Sequence, residues 1–206
     1  KQSFTTNMPF PDSEYLQSLY ANKDLIVGGT VRDFPLLRDP EVQQALGSRG
    51  KKFGASLQSR VFWDESRQRS LGVVYFPNDV EGPVGRAHGG SIATILDALF
   101  GYQAIRTKGW GSFTVQLNVT YRNFVPLNSC CRYEAWTTKV EGKKIFMDIE
   151  LKSLDGLTTH ATATSIFVQP KHFLTYEKAL SMFGKDSSAT KESILESIRS
   201  ANQAKL

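Results

Sequence analysis

His88-Gly89-Gly90-Ser91-Ile92-Ala93-Thr94-Ile95-Leu96-Asp97-Ala98-Leu99-Phe100-Gly101-Tyr102, running on to Lys108, decides how this chain is built. Ile92, Ala93, Ile95, Leu96, Ala98, Leu99 and Phe100 leave a helix here without a broad polar face, so other structure is expected to wrap it. One carboxylate, Asp97, sits among them. A carboxylate in an apolar setting is costly unless it is paired or hydrogen-bonded, so it asks for a function. Gly109 and Gly111 mark the end of the helix.

Strand patterns flank the helix on both sides. Upstream, residues 53–64 and 69–76 alternate around a loop of Glu65, Ser66, Arg67 and Gln68, and a proline- and glycine-rich linker over 77–85 leads to His88. Downstream, residues 112–124 set Phe113, Val115, Leu117, Val119 and Tyr121 against Thr114, Gln116, Asn118, Thr120 and Arg122. Pro126-Leu127-Asn128 makes the next turn, Glu141-Gly142 joins strands at 130–140 and 143–153, and Asp155-Gly156 leads into 157–168. Such short connections predict a four-strand antiparallel meander. A single helix cannot cover both faces of a sheet this size, so the expected fold is α+β, an antiparallel sheet of about six strands curled around one central helix.

The domain of residues 53–169 is expected to carry two appendages. An N-terminal extension, 1–52, holds a helix at 14–22 capped by Asp12-Ser13 and a second from Asp39-Pro40-Glu41 to Leu46, stopped by Gly47. A C-terminal tail, 170–206, holds helices at 175–183 and 188–204, with Ile194, Leu195 and Ile198 on one side.

Composition narrows the partners. A net charge of +5 with 22% charged residues is too mild and too evenly spread for a nucleic-acid arm or a polybasic membrane anchor, and it suits an anionic small molecule. The longest apolar stretch is too short and too polar-flanked to span a bilayer, so no integral membrane segment is expected. Cys130 and Cys131 are adjacent, which strains a mutual bridge, and they read as reduced packing residues. His88, His160 and His172 share no ligand spacing, and neither a phosphate-cradling glycine loop nor a serine nucleophile elbow occurs, so neither metal nor cofactor is expected. The chain opens on Lys1 rather than Met, so any targeting signal is expected to lie upstream of the sequence.

The element order and several strings together resemble the hotdog-fold acyl-CoA thioesterases, in the phenylacetate-type and mitochondrial thioesterase-superfamily-member branch. The strings are Glu81-Gly82-Pro83 before Gly85, His88-Gly89-Gly90 with Asp97 nine residues after the histidine, Thr114-x-x-Leu117-x-Val119-x-Tyr121-Arg122, and Val140-Glu141-Gly142-Lys143-Lys144. The resemblance runs from about residue 53 to 168. It implies hydrolysis of acyl-CoA to free acid and CoA, in fatty acid metabolism, with a mitochondrial location first and a cytoplasmic one second.

The chemistry also follows from the residues. Thioester hydrolysis needs a group that activates water or attacks the carbonyl, and donors aimed where negative charge develops. Asp97 is the candidate general base or nucleophile. Its apolar surround opposes its charge unless hydrogen bonds compensate. Gly89 and Gly90 present amides at the first helical turn, where unpaired N–H groups and the dipole favour an oxyanion and glycine permits close approach. Gly90 and Asp97 are seven residues apart, hence about 10 Å along one helix at roughly 1.5 Å per residue. One carbonyl cannot reach both, so antiparallel helices from two subunits are expected to share each site. The resemblance implies the same homodimer, with a dimer of dimers as its extension.

The resemblance implies that His88 holds the loop or hydrogen-bonds into the oxyanion pocket; the other reading of a lone histidine before a helix is a cap or packing residue. Thr114 matches a threonine that in the similar enzymes lies beside the aspartate and helps to position water. Strict alternation turns it away from its own helix unless a bulge intervenes, so contact with the other subunit is the simpler expectation, with an ordinary β-branched strand residue as the other reading. Arg122, Arg132, Lys143 and Lys144 supply cations for CoA phosphates, or else a solvated face. The resemblance places Thr120, Arg132, Gly142 and Lys143 at substrate-contacting positions. Leu96, Phe100 and Phe113 are candidate walls for the acyl chain. Two alternatives accompany this expectation: a non-catalytic acyl-CoA-binding or regulatory protein, and a hydratase or dehydratase of the same fold, whose usual Asp and His spacing His88 and Asp97 do not fit.

Overall fold

The computed structural model describes residues 10, 13–28, 57–109 and 111–169. The helices expected within 31–50 and beyond 170 lie outside the described residues. The elements are α1 (Glu14–Ala21), β1 (Leu25–Val27), β2 (Gln58–Asp64), β3 (Arg69–Phe76), a 3-10 turn (Asn78–Val80), α2 (Gly89–Lys108), β4 (Phe113–Tyr121), β5 (Ser129–Glu141), β6 (Lys144–Ser153) and β7 (Thr159–Val168). The strands form one antiparallel seven-stranded sheet in the order β1-β2-β3-β5-β6-β7-β4, curled around α2. This is the hotdog arrangement.

Two features correct the expected topology. β1, too short to show a pattern in the sequence, adds a strand at one edge through Leu25↔Asp64, Ile26↔Trp63 and Val27↔Phe62, so the N-terminal extension contributes to the sheet. β4 does not neighbour β5. The segment after β4 crosses the entry of α2, where Val125 accepts from Ala87 N–H and Asn128 N–H donates to Phe76, and this delivers β5 to the side of β3. β4 is left at the opposite edge, paired with β7. The Glu141-Gly142 and Asp155-Gly156 turns do join direct neighbours.

α2 is covered on one side. Ser91, Ile92, Ile95, Leu96, Leu99, Phe100, Gln103 and Ala104 are buried and recur every three or four residues, the stripe that faces the sheet. Leu96, Leu99 and Phe100 are fully enclosed, each worth about 1.5–3 kcal/mol of burial. Leu96 and Phe100 therefore belong to the core rather than to an acyl groove. The opposite side carries Ala93, Thr94, Asp97, Ala98 and Gly101, half-buried or exposed. The helix reads as apolar all round because this open side is built of small residues.

Gln103, fully buried, is a polar member of the stripe. Its side-chain oxygen accepts from Ser70 N–H at 3.0 Å, and its amide nitrogen donates to Gln68 O at 3.1 Å and Thr137 Oγ1 at 3.2 Å. These bonds tie α2 to the β2–β3 turn and to β5. On the outer face of the sheet α1, capped by Ser13 Oγ accepting from Leu16 N–H at 3.2 Å, sets Leu16 and Leu19 against Phe62 and Val73.

Candidate active site

β4 lies alongside α2 and hydrogen-bonds to it through two side chains. Near its start, Thr114 donates its hydroxyl to Asp97 Oδ1 at 2.8 Å. At its end, Tyr121 donates its hydroxyl to the Gly89 carbonyl at 2.9 Å.

The first contact depends on a bulge. Thr114 pairs with Phe167 but Gln116 with Ile166, so Val115 is an extra residue in β4. Leu117 and Val119 pair with Ser165 and Ala163, which like Phe167 are buried on the helix side. Across the bulge Thr114 thus shares a face with Leu117 and Val119 and reaches the Asp97 of its own chain. The expected contact across subunits is corrected: the bulge, which alternation cannot show, turns Thr114 inward. Asp97 itself is half-buried on the open side of α2 rather than enclosed.

The first turn of α2 is densely bonded. His88 Nδ1 accepts from Gly90 N–H at 2.9 Å, making His88 the helix N-cap, so a neutral ring carries its proton on Nε2. The His88 carbonyl accepts from Ser91 N–H at 3.0 Å, Ile92 N–H at 3.2 Å and Ser91 Oγ at 2.6 Å. Gly82 backs the histidine so closely that a Cβ there would stand 2.8 Å from His88 Cα. The Gly90 amide is therefore committed to His88, whereas among the described residues the Gly89 N–H donates to no protein group. Of the two expected oxyanion donors, Gly89 is the one whose N–H has no protein acceptor among the described residues.

The family comparison matches this region. Residues 84–160 match the family model described as Thioesterase superfamily. Among curated relatives, the acyl-coenzyme A thioesterase THEM4 of Xenopus laevis is 31% identical over 56% of this chain and 52% of its own length. The acyl-coenzyme A thioesterase THEM5 of Homo sapiens is 30% identical over 56% of this chain and 47% of its own. The chain thus spans about half the length of these relatives. A solved thioesterase superfamily protein superposes with a TM-score of 0.49 at 24% identity, over 53% of this chain and 55% of its own.

The other expected contact residues fall into three places. Thr120 and Arg122 sit at the Tyr121 end of β4, both exposed, with Arg122 N–H bonded to His160 O at 2.8 Å. Gly142, Lys143 and Lys144 form the exposed turn at the far end of α2, where Lys108 Nζ donates to Gly142 O and Lys143 O accepts from Gln169 N–H. Arg132 lies on the other face of the sheet from Asp97, because its neighbours Cys131 and Tyr133 point to the core. Its guanidinium stacks over the Tyr15 ring at 5.3 Å and fills the space beside Gly156, where φ is +81°. Phe113, half exposed, pairs with Val168 at the sheet edge. Tyr121 was legible only as a core position of the strand. The signal for more is its hydroxyl, a polar tip on a nominally apolar face.

Among the described residues no cluster of His, Cys, Asp and Glu is placed to hold a metal ion, and no helix is long and apolar enough to cross a membrane.

Proposed function

We propose that the chain hydrolyses acyl-CoA thioesters, with Asp97 as general base or nucleophile and the Gly89 N–H as oxyanion donor. The observation that carries this is the Thr114 hydroxyl on Asp97 Oδ1, 2.8 Å away. It fixes the carboxylate on the open side of α2 and leaves Oδ2 for a water or for the thioester carbon. A charged carboxylate gains from an O–H donor, and the hydroxyl oxygen offers a second contact to a bound water. As base, Asp97 takes a proton from water while the water oxygen attacks; the carbonyl oxygen becomes an oxyanion held by Gly89 N–H, and collapse expels the CoA thiolate. As nucleophile, Asp97 attacks directly and water cleaves the resulting anhydride.

Each site takes its two halves from two subunits. Gly89 and Asp97 are eight residues apart on one helix, about 12 Å at roughly 1.5 Å per residue. Two features favour a homodimer that closes this gap. β4 is an open sheet edge with Phe113 and Val115 50% and 60% exposed, and the open side of α2 carries small residues that allow close helix approach. Since β4 carries Thr114 at Asp97 and Tyr121 at Gly89, a two-fold axis passing between Leu117 and Asn118 sets one subunit's Gly89 beside the other's Asp97. A dimer of dimers extends this reading.

Exposed Arg122, Thr120, Gly142, Lys143 and Lys144 are the candidate contacts for CoA; Arg132, already stacked on Tyr15, is the weakest of the set. A mitochondrial setting comes from the resemblance alone, and imaging of the full-length protein tests it. The deciding experiment is release of free thiol from short, medium and long acyl-CoAs, with Asp97→Ala as the variant: loss of turnover with the fold and dimer intact supports the proposal. Saturable acyl-CoA binding without turnover across the panel overturns it in favour of a binding protein.

A further inference from the structure

Two successive glycines open α2, the residues least able to hold a peptide plane by themselves. The Gly89–Gly90 peptide is nevertheless held at both ends, its carbonyl by the Tyr121 hydroxyl and its N–H by His88 Nδ1, each at 2.9 Å. His88 is the adjacent residue, but Tyr121 arrives from β4, 32 residues further along the chain. Its ring lies over the turn, 3.4 Å from where a Cβ on Gly89 would stand. Tyr121 is 52% exposed, so a phenylalanine would fill the same space and the core does not require the hydroxyl.

We propose that Tyr121 is a positioning residue of the site: its hydroxyl holds the Gly89–Gly90 peptide and thereby the direction of the Gly89 N–H. With the His88 carbonyl held by Ser91 and Ile92, both peptides flanking Gly89 are then fixed. One strand sets both half-sites, with Thr114 on the carboxylate and Tyr121 on the donor. The kinetic consequence rests on the thioesterase reading; the hold on the turn does not. Without the hydroxyl the glycine turn samples other orientations, so fewer molecules present the donor. The loss falls on the step that develops charge rather than on substrate capture.

The test is Tyr121→Phe in the full chain, read by kcat and KM for an acyl-CoA that the wild type turns over, and by amide hydrogen exchange of the unliganded protein. The expected result is a fall in kcat of about tenfold, the equivalent of one hydrogen bond, with KM within about twofold. Exchange of the Gly90, Ser91 and Ile92 amides quickens while the rest of α2 is unchanged. Tyr121→Leu, with an apolar side chain and no donor, shows the same loss of kcat. Wild-type kcat and exchange in Tyr121→Phe overturn the proposal, as does a loss confined to Tyr121→Leu, which would assign the role to the ring. A rise in KM at constant kcat would make Tyr121 a wall of the binding site and overturns it too. If the wild type releases no thiol from any acyl-CoA, the thioesterase reading fails, and the exchange of the first turn still decides whether Tyr121 holds it.

Discussion

Thr114 donates to Asp97 within one chain, although counting alternate residues along β4 turns it the other way. The single extra residue Val115 makes the difference, and it ties the carboxylate to the sheet edge instead of leaving it to a second subunit. A hydroxyl placed this way has a separable kinetic role. Thr114→Val, which keeps the β-branched shape and loses the donor, is expected to lower kcat about 10- to 100-fold. Thr114→Ser should retain most of the activity. Unfolding by urea should shift little for either, because Thr114 is exposed. Steady-state thiol release checks the first expectation, and equilibrium unfolding checks the second.

Gly89 can be tested without disturbing its helix. Proline is tolerated at the first helical position, and His88 already has the extended backbone that a following proline demands, with φ −67° and ψ 138°. Gly89→Pro therefore removes one N–H and little else. As oxyanion donor, Gly89 should cost about 10²- to 10³-fold in kcat when its N–H is deleted. The far-ultraviolet circular dichroism spectrum should be unchanged.

The proposed sharing of each site between two subunits makes a quantitative prediction. An equimolar mixture of Asp97→Asn and Gly89→Pro, unfolded and refolded together, forms half heterodimers by random pairing, and each heterodimer has one site with both halves intact. Activity is expected to return to about one quarter of wild type per chain, from nearly none in either parent. Sites contained within one chain would give no recovery.

The parts of the fold legible from the sequence are those set by local signals. Gly109, at φ +83°, ends α2 where expected, and the Glu141-Gly142 and Asp155-Gly156 turns join their strands as expected. Long-range choices were not legible. Whether β4 pairs with β5 or β7 depends on the path across the helix entry, where Ala87 and Asn128 bond to Val125 and Phe76, and no short-range pattern records those bonds. The inward turn of Thr114 was hidden because one inserted residue inverts a two-residue period. Arg132 looked like a phosphate ligand because charge is visible in a sequence, whereas the Tyr15 ring that occupies its guanidinium is not.

Gln103 gives a stability prediction independent of function. Replacing it with leucine leaves the Ser70 N–H, which is buried with its residue, without its acceptor, and also removes the donor to Gln68 and Thr137. Each buried unsatisfied group costs about 1–3 kcal/mol, so Gln103→Leu is expected to destabilise by about 2–4 kcal/mol in urea unfolding. Gln103→Glu also keeps an acceptor for Ser70 but loses the amide donors, and should fall between leucine and wild type when measured at a pH that protonates the introduced carboxyl.

Alkaline pH should loosen the fold through groups remote from Asp97. Burial pushes the Cys130 thiol up from 9.0 to about 11 and the Cys131 thiol to about 12, the latter also opposed by its neighbour. Burial likewise lifts the Tyr15 hydroxyl from 10.0 to about 12 against the pull of Arg132. In the unfolded chain these groups ionise near their ordinary values, so above pH 9 the folded state holds more protons than the unfolded one. Their contribution is fully present below pH 9 and declines as pH rises towards 12, each group adding a slope of up to about 1.4 kcal/mol per pH unit inside its own window. Urea midpoints measured from pH 8 to 11 should fall progressively. In Cys130→Ala/Cys131→Ala the fall should be shallower and should begin nearer pH 10, where Tyr15 alone of the three still titrates in the unfolded chain. The same burial predicts that both thiols of the native protein react slowly with a maleimide at pH 8 and rapidly once urea unfolds it.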